Sequence, residues 1–145
     1  MANRQENDAA YDEGLPGRQP PDLRAQPPGA DSRDYNLEER TAKFAEAIVR
    51  FAKKLPVNPV TRDLITQMVN AGTSVGANYC EATDGVSRKD FRNRIGFCKK
   101  EAKETAYWLR VVATAIPEQK DEARVLWKEA TELKLIFAKS FRTSS

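Results

Sequence analysis

Residues 87–117 read SRKDFRNRIGFCKKEAKETAYWLRVVATAIP, with a capping serine at one end and a proline at the other. Ser87 can cap a helix, and Asp90 follows three residues later in the first turn. Pro117 stops the run, so the stretch predicts one long helix over 88–115. Phe91, Ile95, Cys98, Ala102, Leu109 and Val112 form one apolar face. Phe97, Glu101, Glu104, Trp108 and Val111 form a second, more than a right angle away at about 100° per residue. A helix with one stripe needs only its own bundle. A helix with two needs a further covering surface, from its own chain or from another copy.

The flanking sequence is helical in the same way. Leu37, Phe44, Ile48, Phe51 and Leu55 share a face, and Pro56 and Pro59 end that helix. Thr61 can cap a second helix over 61–84, whose apolar row is Leu64, Met68, Ala71, Val75, Tyr79 and Ala82. Gly72 and Gly76 lie inside it. Each costs about 1 kcal/mol in a helix interior, which close approach by a neighbouring helix would offset. A fourth helix over 118–141 carries the row Ala123, Leu126, Ala130, Leu133, Phe137 and Phe141, with Trp127 at its edge. Short connections at 56–60, 84–87 and 116–117 favour antiparallel neighbours. The expected fold is all-α: an antiparallel up-down-up-down four-helix bundle over 35–145, oligomeric because of the second face on helix three.

Residues 1–34 differ in kind. Five of the chain's eight prolines lie there, with 4 basic against 7 acidic residues and few large apolar ones. Such a segment cannot bury enough surface to offset its backbone entropy, so a disordered, acidic, proline-rich tail is expected. Residues 35–145 carry 20 basic and 14 acidic residues, a net charge of +6.

Composition removes several chemistries. The chain of 145 residues has no histidine and two cysteines. Ser-His-Asp and Cys-His nucleophiles, HExxH zinc sites and mixed Cys/His fingers all need histidine. Two cysteines make neither an all-cysteine zinc site nor a disulfide framework. No metal or cofactor is expected. No apolar run approaches the ~18 residues of a membrane span, and the first residues lack the order of a signal peptide. A cytoplasmic, reducing setting is the expectation.

Two motifs carry a family resemblance. Ser74-Val75-Gly76-Ala77-Asn78-Tyr79-Cys80-Glu81-Ala82 resembles the Ser-Ile-x-x-Asn-Ile-x-Glu-Gly motif of the bacterial four-helix bundle proteins, also called the 23S rRNA intervening-sequence proteins. Glu101-Ala102-Lys103-Glu104-Thr105-Ala106-Tyr107-Trp108-Leu109 resembles that family's second signature. Ala82 stands where the family has glycine, and Gly85 can serve instead. The resemblance implies a helical bundle assembled as a homopentameric ring. It also implies kinship with the accessory variability protein of diversity-generating retroelements. That relative works with a reverse transcriptase and RNA through a basic surface, so RNA or DNA and a ribonucleoprotein are the implied partners.

Three sets of residues are candidates for function. Arg88, Arg92, Lys99, Lys103 and Arg110 fall within about 60° on helix three, and Arg124 and Lys128 share a side of helix four. They are candidate phosphate contacts for nucleic acid, multiplied by symmetry in a ring. The interleaved acids Asp90, Asp121, Glu122 and Glu129 favour an ordinary solvated face instead. Ser74, Asn78 and Glu81 on helix two, with Glu101 and Glu104 on helix three, read as a polar clasp within or between subunits, with Arg62 or Arg94 as a partner. Phe97, Trp108 and Val111 are the expected oligomer interface. Trp108 and Trp127 read as interface or core anchors ahead of base-stacking platforms, and Cys80 and Cys98 as buried thiols. The leading reading is a non-enzymatic, homo-oligomeric bundle that binds nucleic acid or a ribonucleoprotein. A second is a protein-interaction scaffold whose tail recruits the partner. A third, a hydrolase using Glu81 and Glu104, lacks a nucleophile or phosphate loop to accompany the carboxylates.

Overall fold

The main apolar row of each helix turns inward, while the second face of helix three does not become core. A computed structural model describes residues 36–85 and 87–144. Among them are four α-helices and no strand: α1 Leu37–Lys53, α2 Thr61–Thr83, α3 Arg88–Ala115 and α4 Lys120–Thr143, with a 3₁₀ turn at Pro117–Gln119. The chain divides into two units, Met1–Asn36 and Leu37–Ser145, and all four helices belong to the second. The tail expected at 1–34 lies outside the described residues. Among the described residues no helix is long and apolar enough to cross a membrane.

On α1, Leu37, Phe44, Ile48 and Phe51 are buried, as is Leu55 just beyond it. Thr41 fills the gap in that row and is also buried. Its hydroxyl donates to the Leu37 carbonyl at 2.7 Å, which satisfies it without a partner across the core. The helix ends at Lys53 rather than at residue 55. The residue before a proline is held out of the helical region, so Leu55 closes a tight turn onto Ala52 ahead of Pro56.

The two glycines of α2 mark its contact with α1. A Cβ on Gly72 would lie 2.9 Å from Ile48 Cγ1, and one on Gly76 would lie 3.0 Å from Thr41 Oγ1. Met68, Ala71, Val75 and Ala82 are buried, while Leu64 and Tyr79 are half-buried. Thr61 is not the cap that its position suggests. Asn58 does that work: its Oδ1 accepts from the amides of Val60 and Thr61, each at 2.9 Å. Thr61 is buried instead, and its hydroxyl donates to the Pro56 carbonyl at 2.7 Å while accepting from the Asn58 amide. The Pro56–Pro59 connection is therefore tied down from inside.

Ser87 caps α3, its hydroxyl accepting from the Asp90 amide at 3.1 Å. Ile95, Cys98, Ala102, Thr105, Leu109 and Val112 are buried. On α4, Ala123, Leu126, Ala130, Leu133 and Phe137 are buried, and Phe141 is half-buried against Gly96 of α3. Pro117 opens a 3₁₀ turn rather than α4 itself, so that helix starts at Lys120 and runs on to Thr143. Across the core the Tyr79 and Phe137 rings stand 5.8 Å apart. Arg40 of α1 donates to Glu129 at 2.7 and 2.8 Å and to Glu132 at 2.9 Å. Lys54, just after α1, pairs with Glu122 at the start of α4.

Candidate functional site

Arg88, Arg92, Lys99, Lys103 and Arg110 repeat at four- and seven-residue steps, so they lie along one side of α3. Four of them are exposed, and Arg92 is half-buried. That side borders α4. The Arg92 guanidinium sits 3.8 Å from the centroid of the Phe141 ring, and its Nε donates to the Phe141 carbonyl at 3.3 Å. Lys99 Nζ lies 5.9 Å from the same ring. Gly96 admits the ring, since a Cβ there would stand 3.2 Å from it. Arg92 thus serves the end of α4 as well as the stripe, and the freer cations are the other four.

Further along the same seam, α3 and α4 part to form an open groove of about 500 Å³. Trp127 and Ala113 make its apolar surface, over buried Leu109 and Ala123. Arg110, Lys120 and Arg124 stand at its edge with Thr114. Its lining contains no acidic residue. Lys120, which sequence reasoning passed over, and Trp127, which it read as an anchor ahead of a stacking platform, both line this groove. The signal was present: Lys120, Arg124 and Trp127 recur at four and then three residues, which puts them on one side of α4. What the spacing did not give was the position of Arg110 beside them. Lys128 is exposed and does not line the groove.

Three acids of α4 are engaged elsewhere: Glu122 pairs with Lys54, and Glu129 and Glu132 with Arg40, while Asp121 is exposed and in no ion pair among the described residues. Among the described residues, Arg88, Lys99, Lys103, Arg110, Lys120, Arg124 and Lys128 form no ion pair with a carboxylate. Charge is sorted by side, with ion pairs along α1 and α4 and bare cations along α3 and α4.

The polar set is less united than its spacing suggests. Ser74 Oγ donates to the Asn70 carbonyl of its own helix at 2.6 Å. Asn78 Nδ2 donates to the Ser74 carbonyl at 2.9 Å, and its Oδ1 accepts from Arg94 at 3.2 Å. Of this polar set, the Asn78–Arg94 bond is the side-chain hydrogen bond that joins α2 to α3 among the described residues. Glu81 is exposed and makes no side-chain hydrogen bond among the described residues. Glu101 and Glu104 stand beyond Arg94 on α3, half-buried. Gly85 meets Phe91 and Asn78 meets Arg94, so Glu81 and Glu104 diverge along the two helices. Ten residues separate Arg94 from Glu104, and Glu81 lies a further turn the other way, about 20 Å in all at 1.5 Å per residue. The two carboxylates do not share a site, which removes the acid–base pair the hydrolase reading required. Among the described residues no group of three or more Cys, Asp or Glu side chains could hold a metal ion.

Burial, reinforced by the charge of Glu104, raises the Glu101 pKa above the ordinary carboxylate value. Such a group favours folding while protonated, and that support is lost as pH rises through its folded value. Glu101→Gln should therefore raise the melting temperature at pH 7, with the gain vanishing below the ordinary glutamate range near ~4.3. A lower melting temperature at pH 7 would mean instead that Glu101 is paired with a cation in the assembled protein. Cys98 is buried, which pushes its thiol up to about 12 and keeps it unreactive, whereas Cys80 is exposed rather than buried as its position had suggested.

The remaining side of α3 is apolar and uncovered by the described residues. Phe97 is 46% exposed and Tyr107 57% exposed, the latter edge-on to Trp108 at 4.9 Å. Trp108 and Val111 are half-buried.

Comparison with known proteins agrees with this architecture. A solved structure from Bacteroides thetaiotaomicron, a protein with unknown function from the S23 ribosomal protein family, is similar at a TM-score of 0.66 and 27% identity. The likeness covers 77% of this chain and 99% of that one. No curated protein matches. The model of the 23S rRNA-intervening sequence protein family matches residues 33–139, spanning all of α1, α2 and α3 and most of α4, and the chain belongs to that family.

Proposed function

We propose that the protein is a non-enzymatic, homo-oligomeric bundle that binds nucleic acid along the α3–α4 seam. The observation that carries this reading is the sorting of charge. The cations of that seam have no carboxylate partners among the described residues, and three of the α4 acids, Glu122, Glu129 and Glu132, are paired with Lys54 and Arg40 instead. Unpaired Lys and Arg in a row are what a phosphate backbone engages, and each contact releases condensed counterions. The topology is up-down-up-down. Residue pairs between neighbouring helices run in reversed order, as with Ile48–Gly72 and Thr41–Gly76, or Arg94–Asn78 and Phe91–Gly85. The exposed Phe97 and Tyr107, with Trp108 and Val111, give the bundle a face for further copies of itself, and a pentameric ring would repeat the cationic seam in every subunit. The reading places the protein in the cytoplasm with nucleic acid and reduced thiols.

The test is size exclusion with light scattering, with and without RNA, at low and high salt. The family's name makes RNA the first probe. The expected result is a mass several times that of one chain, with RNA co-eluting at low salt and released at high salt. A protein that excludes RNA even at low salt overturns the nucleic-acid reading. A single-chain mass overturns the assembly.

A further inference from the structure

We propose that the groove between α3 and α4 is a stacking subsite for one base of single-stranded nucleic acid. Trp127 is its platform, and Arg110, Lys120 and Arg124 contact the flanking phosphates. The inference rests on the nucleic-acid reading above and narrows it to unpaired strands.

Trp127 is the anomaly that prompts it. The apolar row of α4 is buried from Ala123 to Phe137, yet this tryptophan, one residue from buried Leu126, is 41% exposed. It shares with Ala113 and Thr114 of α3 an opening of about 500 Å³. Recognition pockets of roughly 300–1,000 Å³ accommodate small planar ligands, so one base fits and a folded element does not. The edge decides the sign of the occupant. Three cations line the groove with the indole, no acid lines it, and none of the three is in an ion pair among the described residues. An aromatic face that shares its groove with bare cations suits a ligand that is planar in one part and anionic in the next. A nucleotide strand has that alternation at every step.

The continuation of the seam agrees. Phe141 lies fourteen residues from Trp127, about 21 Å along α4. Its ring is already covered by Arg92, so it holds a cation in place rather than offering a second platform. The seam therefore presents one open aromatic face within a longer cationic track. A base in a duplex is held in its own stack and cannot lie flat on Trp127, whereas an unpaired base can.

The experiment uses the full chain and two labelled probes, a single-stranded oligouridine of about 20 nucleotides and an RNA duplex of similar length. Fluorescence anisotropy is read at about 50 and 200 mM salt. Trp127→Leu should lower single-strand affinity about tenfold or more, leaving duplex affinity, the salt slope, helicity and assembly mass unchanged. Trp127→Phe should recover most of the loss. Arg124→Glu should weaken single-strand binding and reduce the salt slope by about one. Single-strand binding that is insensitive to Trp127→Leu, in a protein that still binds RNA, overturns the groove and leaves the seam reading intact. No binding of either probe by the unaltered protein at low salt overturns both. A drop in assembly mass for Trp127→Leu assigns the tryptophan to a subunit contact and overturns the groove.

Discussion

Phe137→Ala should cost about 3–5 kcal/mol of folding free energy. Phe137 is 0% exposed, and its ring stands 5.8 Å from that of Tyr79 at 50°, joining α4 to α2 across the core. The side chain is among the largest fully buried in the domain. The close-packed core around it relaxes only partly when a large side chain is removed, so much of the cavity would stay open. A domain of this size holds about 5–15 kcal/mol in total, and the variant would sit near the edge of stability. Urea unfolding followed by circular dichroism at fixed protein concentration measures it, because assembly would otherwise shift the midpoint by mass action. A midpoint within error of the unaltered protein would show that α2 and α4 do not meet through this ring.

The second large effect is on binding. Arg88→Glu with Lys103→Glu should weaken RNA affinity by about a hundredfold or more at about 0.1 M salt. Each phosphate contact adds about 0.9 to the slope of log affinity against log salt, which is about tenfold at that concentration, and reversal adds repulsion. These two are better targets than Arg92, whose guanidinium also holds the end of α4 through the Phe141 ring and carbonyl. Both are exposed and without ion pairs among the described residues, so helicity and assembly should be untouched. The salt slope should fall by about two. Unchanged affinity and slope would remove the α3 stripe from the interface.

Much of the fold was legible because a helix repeats its own phase. Leu37, Phe44, Ile48, Phe51 and Leu55 were placed inside by spacing alone, and all five are buried. Gly72 and Gly76 announced a close helix neighbour, and Ile48 and Thr41 occupy the space their missing side chains leave. The misses arose where a residue had two plausible partners. Thr61 could cap α2 or fasten the preceding loop, and Asn58 took the cap because its position ahead of the helix lets Oδ1 reach the amides of Val60 and Thr61, while the Thr61 hydroxyl turns back to the Pro56 carbonyl. The expected clasp dissolved for a similar reason. Ser74 and Asn78 found carbonyls on their own helix, leaving a single amide-to-Arg94 bond across to α3.

The candidate site divides in the same place. Periodicity along one helix assigns Arg88, Lys99, Lys103 and Arg110 to a common side, since side-chain direction is fixed by 3.6 residues per turn. Periodicity is silent about how two helices are rotated against each other. That rotation came from packing, with Gly96 admitting Phe141 and the α4 core row locking onto α3. It paired Glu122 with Lys54 and Glu129 with Arg40, so two of the four interleaved acids are engaged away from the basic side, while Asp90 and Asp121 are exposed. It also set Trp127 beside Arg110, seventeen positions back in the chain. Local chemistry thus dictated the helices and their buried sides, because each depends on residues within a turn or two. The meeting of indole and cations, and the sorting of charge, depend on contacts between distant segments, and only the packed bundle decides those.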